Sequence, residues 1–263
     1  MPPLSIARLV AAVAAVTAVL VGLDDLLVAW GASAVLRDMV STGILAMALA
    51  LWPAWFPRVL PLFIPRKRLL DDPVAQQRVA RLLSEVLDGT QGQGQGINEP
   101  RVLIFRDARA VGLAAGAPAQ SVLMVSSGLL DQLDDREVRG AIAHECGHVI
   151  GRHMMLTAGF LATLYFGKTL FGALGLPLTL VLLLVYLAIV RRNEFDADRR
   201  GALMVGADAM KQTLAKFKAV HGESDWMDKP WLTLVSTHPG FGRRMKALDV
   251  ELDAAGGKDQ GLV

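Results

Sequence analysis

The sequence predicts a mainly α-helical membrane protein, in which about four transmembrane helices carry a cytoplasmic α+β domain with a small β-sheet. Three observations lead there. Charged side chains are scarce in two regions, with only Arg8, Asp24, Asp25, Arg37, Asp38 and Arg58 in residues 1–64 and only Lys168 in 154–190. Of the 263 residues, 53% are hydrophobic and 20% are charged, with a mean hydropathy of +0.41, a balance that excludes disorder. Between the two apolar regions, short β-prone runs separated by turn residues are flanked by longer helical patterns.

The apolar stretch Leu9–Leu23 is interrupted only by Thr17. With its flanks it reaches the roughly 20 residues a crossing helix needs. A cleaved leader ending at Ala32-Ser33-Ala34 is the competing reading. A second stretch, Val40–Ile64, contains Pro53, Pro57 and Pro61, which predict a kinked or interfacial later half before Arg66-Lys67-Arg68. These two stretches form a predicted N-terminal helix pair over 1–65.

The polar domain comes in two parts, 66–153 and 191–263. Asp72 caps and Pro73 opens a helix running to about Gly89, with Val79, Leu82, Leu83, Val86 and Leu87 on one face. Gln91–Gly96 is low-complexity and reads as a loop. Arg101–Phe105, Val111–Ala115 and Ser121–Val125 read as strands. A helix begins near Asp134-Asp135, where acids suit its N-terminus, and runs past His153. Residues 154–190 are too many for one crossing of a ~30 Å core. A turn at Gly175-Leu176-Pro177 makes them a hairpin that crosses or dips into the bilayer. The second part of the domain is mostly helical, with breaks around Gly206, Gly222 and Pro239.

Arg66, Lys67, Arg68, Arg152, Arg191 and Arg192 abut the apolar segments on the side of the polar domain, so the positive-inside rule places that domain and both termini in the cytoplasm. A net charge of +2 without aromatic-interleaved basic runs gives no nucleic-acid footprint. The single cysteine, Cys146, excludes an internal disulfide.

Residues 144–148 read His-Glu-Cys-Gly-His, an H-E-x-x-H pattern within a predicted helix. At i and i+4 the imidazoles of His144 and His148 share a face and can reach one metal ion, for which zinc suits the donors. Glu145 lies about 100° round the axis from His144. It can take a proton from a water beside the metal without binding the metal itself. Cys146 falls on the opposite face and is excluded as a ligand. Apolar flanks at Val138, Ala141, Ile142, Val149 and Ile150 bury the motif, where unpartnered imidazoles would be costly. A further ligand comes from elsewhere: Glu194 and Asp198 share a helical face at i, i+4, so one can bind metal while the other supports a ligand imidazole or an arginine. A solvated acidic stripe paired with neighbouring arginines is the competing reading. His238, with a rigid Pro239 neighbour, can donate to a developing oxyanion or simply start a helix. His153 and His221 read as structural or solvent-facing.

Taken together, H-E-x-x-H, a hydrophobic hairpin, E-x-x-x-D and Ser236-Thr237-His238-Pro239 resemble the HtpX-like membrane zinc metalloproteases, relatives of the CAAX prenyl endopeptidases, from about residue 66 to 250. The resemblance implies a zincin-like fold and one zinc ion per chain, bound by His144, His148 and Glu194. It implies Glu145 as general base, Asp198 as support for the ligands, His238 as oxyanion donor and Arg244 beside it. It also implies membrane-protein or peptide substrates and a role in quality control under stress. The sequence departs from the family in one place: Val111-Gly112-Leu113-Ala114 stands where members carry an Asn-Ala pair on the strand bordering the cleft. An extended substrate would bind these four residues by backbone pairing. Competing with a protease are an idle membrane scaffold, which would have no need of Glu145, and a processing enzyme for lipidated peptides, which would need a larger membrane chamber.

Overall fold

The computed structural model describes residues 6–91, 96–161, 175–222 and 238–259. Helix α1 (Ile6–Ala29) is followed by α2 (Ala34–Ala50), α3 (Trp52–Phe63) and α4 (Pro73–Gln91). Strands β1 (Arg101–Phe105), β2 (Gly112–Ala117) and β3 (Gln120–Ser126) come next. Helices α5 (Ser127–Gln132), α6 (Asp135–Ile150), α7 (153–161), α8 (Gly175–Val205), α9 (Ala207–His221) and α10 (Phe241–Asp259) complete the described chain.

The sheet is mixed, in the order β1-β3-β2, with β1 parallel and β2 antiparallel to the central β3. Strand alternation divides its side chains between two cores. Ile104, Leu123 and Val125 face α4 and α6, joining Val79, Leu82, Leu83 and Val86 with Val138, Ala141 and Ile142. Leu103, Phe105, Val122 and Met124 face the other way, onto Leu60 and Ile64 at the end of α3. β2 is an edge strand, and α6 packs against it.

Three expectations are altered. The stretch 40–64 is not one kinked segment: α2 ends at Leu51 and α3 departs at 71°, its Pro53 in the first helical turn where proline is tolerated. α3 then serves the sheet, with Leu60 and Ile64 buried on it. The helix bearing the histidines does not run past His153. It stops at Ile150 because Gly151 caps it and Arg152 takes φ 53°, a left-handed conformation no helix accommodates. Finally, Gly175–Pro177 is not a separate turn before a short limb. It opens a helix that continues without a breaker from the apolar limb into E-x-x-x-D, 31 residues in all. The first limb beyond residue 161, including Lys168, lies outside the described residues. Among the described residues no single helix is long and apolar enough to cross a membrane, and the bent pair Ala34–Ala50 with Trp52–Pro61 meets length and composition only together.

α6 starts on a reciprocal cap: Glu137 N donates to Asp134 Oδ1 at 2.8 Å, and Asp134 N to Glu137 Oε2 at 3.0 Å. Asp135 in its first turn ties α6 to α4, accepting from Arg78 Nε at 2.7 Å and also from Arg81. Those hydrogen bonds, Arg81's first and Arg78's next, hold the Asp135 carboxyl below the usual range. Its folded value being depressed, the stabilisation is complete above the ordinary aspartate pKa of about 3.9 and fades as pH falls below it. The stability gap between wild type and Asp135→Asn should therefore be flat from neutral pH to about pH 5 and narrow in more acid solution. Urea melts across that range check it, and a gap that widens on acidification would refute it.

At the crossing of α6 with α8, a Cβ on Gly147 would stand 2.6 Å from the Ala197 carbonyl oxygen and 3.0 Å from its Cα. Backbone cannot yield as a flexible side chain can, so Gly147→Ala should destabilise the protein by about 1–3 kcal/mol, read as a lower urea midpoint. An unchanged midpoint would mean that the helices part at no cost.

Candidate metal centre

The close crossing of α6 and α8 assembles the site. His144 and His148 lie one turn apart on α6, with their Nε2 atoms 3.1 Å apart. Opposite them, Glu194 on α8 places Oε2 3.8 Å from His144 Nε2 and Oε1 3.5 Å from His148 Nε2. One donor atom from each of these three residues lies within 4.8 Å of the other two, close enough to hold one metal ion. The chemistry of the set fits: two imidazoles and one carboxylate leave a coordination position open. The His144 tautomer fits as well, because its Nδ1 is 2.9 Å from Asp198 Oδ1, leaving Nε2 for the metal.

Arg244 on α10 locks the carboxylates in place. Its Nε and Nη2 donate to Asp198 Oδ2 and Oδ1, each at 2.6 Å, and its Nη1 lies 3.2 Å from Glu194 Oε2. This is the bidentate fork that a planar guanidinium makes with a carboxylate. Asp198 is 1% and Arg244 6% exposed, so neither charge is solvated and each depends on the other. His238 reaches the same cluster, Nδ1 at 3.2 Å from Glu194 Oε1, with 68% of its side chain exposed.

The charges follow from these contacts. Burial alone would raise Glu194, but His238, His144, Arg244 and His148 together hold its carboxyl well below the usual range. Asp198 is likewise lowered against its burial, by Arg244 and then by His144. Burial, reinforced by the charge on His144, pushes His148 down to about 3, whereas His144 is raised against its burial and Arg244 by Asp198 and Glu194. Burial also raises Glu145, and pushes the Cys146 thiol up to about 12.

The Glu145 carboxylate lines the same cavity as the three donors and meets the edge strand, where Ala114 N donates to its Oε2 at 2.6 Å. Gly112 lies against the same side chain. The four residues singled out on this strand therefore divide. Gly112 and Ala114 adjoin Glu145, whereas the Val111 backbone is bonded to β3, its N–H on Ser126 Oγ at 2.9 Å and its carbonyl accepting from Ser126 N at 3.0 Å, and all four residues line the cavity beside them. Leu113 packs with the sheet core beside α3. A cavity of about 900 Å³ opens here, lined by His144, Glu145 and His148 and by apolar side chains including Phe56, Val149 and Phe217.

The structure thus brings together His144, Glu145, His148, Glu194, Asp198, His238 and Arg244. It also adds residues that the sequence did not single out. His153 is 5% exposed, which leaves the structural reading and not the solvent-facing one, and it lies 2.9 Å from His148. An uninterrupted helix would put it about 140° round from His148. Gly151 was the available sign that the helix stops first. His221 lies at the end of α9 with Nδ1 on the Phe217 carbonyl, and it too lines the cavity.

Two histidines four apart on one helix, a glutamate on a second helix, and a further carboxylate hydrogen-bonded to a sheet edge form the site of the H-E-x-x-H zincins. Within that class the chain belongs to peptidase family M48, whose model matches residues 73–252. Among its relatives, Protease HtpX homologs of Bacillus velezensis and Bacillus pumilus are each 26% identical, over 58% and 79% of this chain and 64% and 80% of their own length. Protease HtpX of Acinetobacter baumannii is 30% identical over 59% of this chain and 67% of its own. The chain spans less than two thirds of some of these relatives, 64% of the B. velezensis protein and 46% of that from Ralstonia nicotianae. Its fold is that of S. mikatae Ste24p, with a TM-score of 0.59 over 94% of this chain and 67% of the other at 15% identity. The resemblance drawn from the motifs is therefore sound.

Arg244 offers a direct test of the electrostatics. Arg244→Ala leaves Asp198 and Glu194 buried without their cation and should cost the metal-free protein about 3–5 kcal/mol in urea unfolding. Arg244→Lys should recover only part of that, because an ammonium cannot make the fork. Wild-type stability in the alanine variant would show that the cluster is hydrated.

Proposed function

We propose that the protein is a membrane-embedded, zinc-dependent endopeptidase. The observation that carries this reading is the convergence of His144, His148 and Glu194 within 4.8 Å, with the Glu145 carboxylate alongside but committed to an edge-strand N–H. Zinc, when bound, would polarise the scissile carbonyl and make a water more acidic. Glu145 takes the proton from the attacking water and hands it to the leaving amine, and its burial suits a carboxyl that must hold a proton between the two events. His238 donates to the charge that develops on the carbonyl oxygen. Asp198 keeps the His144 proton on Nδ1, and Arg244 holds Asp198 and Glu194 in register.

The substrate enters as an extended strand against β2. In that register the outward backbone groups at Gly112 and Ala114 bind it, which needs no side-chain amide. The apolar cavity takes the flanking side chains.

The membrane part of the proposal rests on apolar surface. Val19 on α1 and Trp30 in the turn that follows it are 70% and 76% exposed, and Leu180, Val181, Leu184 and Val185 on α8 are exposed as well. Water disfavours so much open hydrocarbon, and lipid accommodates it. We assign four spans, with the basic residues and the active site on the cytoplasmic side. Substrates are then membrane proteins cut at cytoplasmic segments, in a quality-control role.

The full-length chain purified in detergent, beside Glu145→Gln, tests the reading. Both should bind about one zinc, a single donor cluster being present among the described residues, and casein cleavage by the variant should fall at least about 100-fold, the loss expected of a general base. Zinc in both with cleavage by neither would favour an idle scaffold or an enzyme confined to lipidated peptides.

A further inference from the structure

Both histidines of the cluster turn one ring nitrogen toward Glu194 and the other toward a carboxylate of the Glu194–Asp198 segment, but they reach it differently. His144 does so directly, through Asp198. His148 does so through a third imidazole. Its Nδ1 is 2.9 Å from His153 Nδ1, and His153 Nε2 is 2.9 Å from Asp196 Oδ2. Arg200 Nε donates to that same oxygen at 2.6 Å. The two rings meet edge to face, with centroids 5.0 Å apart.

The backbone is shaped for this contact. Arg152 is the only non-glycine residue with positive φ among the described residues, at 53°, and it turns the chain back immediately before His153. At Gly151 the His153 ring occupies the space of a side chain: a Cβ there would stand 2.3 Å from Nε2 and 2.8 Å from Cδ2 and Cε1. A left-handed arginine is strained, and surrounding structure has to hold it in place.

Proton assignment along the chain of rings is unique once His148 is a ligand. Its Nε2, facing Glu194, must then be bare, so its proton sits on Nδ1 and is donated to His153 Nδ1. That nitrogen must accept, which leaves the His153 proton on Nε2, where Asp196 accepts it. Each nitrogen has one role and none is left over.

We propose that His153 is a positioning residue for the metal centre: backed by Asp196 and Arg200, it fixes the tautomer and ring orientation of His148, as Asp198 does for His144. The proposal rests on the reading of His144, His148 and Glu194 as zinc ligands.

The test is metal binding by the full-length detergent-solubilised protein, independent of proteolysis. Zinc affinity is measured by competition with a chromophoric chelator, and ligand geometry by the visible absorption of the Co²⁺-substituted protein. His153→Leu, which fills the space but cannot accept, should weaken zinc binding about 10–100-fold and shift the Co²⁺ bands. His153→Gln should recover part of both, since its amide oxygen can accept from His148 and its NH₂ can donate to Asp196. Wild-type affinity and spectrum in a folded His153→Leu protein would overturn the proposal and reduce His153 to packing. Should that variant fail to fold, Asp196→Asn takes its place, at a side chain 31% exposed: a smaller loss in the same direction supports the relay, and an unchanged affinity and spectrum overturns it. A wild-type protein that binds neither zinc nor Co²⁺ would remove the metal centre itself, an outcome distinct from failure of the relay alone.

Discussion

The site depends on how closely α6 can lie on α8. Residue 147 meets the Ala197 backbone where any side chain would collide, and Gly201 on α8 meets the backbone at His144. That approach puts the i, i+4 imidazoles of one helix within reach of a carboxylate on the other. With α10 packed on α8, Asp198 and Arg244 are almost completely buried, which converts an ordinary surface ion pair into a mutual requirement. The sheet plays a second part in the same construction. Its edge strand lies against α6, which is why Glu145, one residue from His144 but on another face, meets a backbone N–H of that strand.

How far the sequence revealed this depends on the range of the interactions. The H-E-x-x-H and E-x-x-x-D pairs are local, since helical periodicity alone aligns residues four apart. Strand positions were legible for the same reason, from β-prone runs between turn residues, and so were the helix breaks at Gly206 and Gly222, each of which adopts positive φ. The stop at Ile150 was also local, written in Gly151, yet the apolar sequence that follows masks it. What periodicity could not reveal is the destination of α3. Its apolar residues satisfy a membrane pattern and a core pattern equally, and only the tertiary structure shows Leu60 and Ile64 closing the second face of the sheet.

His153 shows a further limit. Its spacing from His148 fits no helical contact, because the contact is made by a turn of the backbone and completed by Asp196 on α8, 43 residues further along. A long-range hydrogen bond leaves no periodic trace. Asp196 lies between Glu194 and Asp198 in sequence but on a different face of α8, so the reading of that segment as a single i, i+4 pair had no place for it. One short stretch therefore presents carboxylates in two directions, Asp198 to His144 and Asp196 to His153.

The contact between Glu145 and Ala114 has a consequence for any peptide that adds to the β2 edge. An N–H on that edge serves one acceptor at a time, and Ala114 already serves a carboxylate that is buried and held above its ordinary range mainly by that burial. An incoming carbonyl that takes the Ala114 N–H removes one of the interactions favouring the charged form of Glu145 and frees its oxygen to turn toward the His144 side. Strand pairing and release of the base are thus competing uses of one hydrogen bond. Backbone recognition at this edge cannot be energetically independent of the protonation of Glu145, whatever side chains the peptide carries.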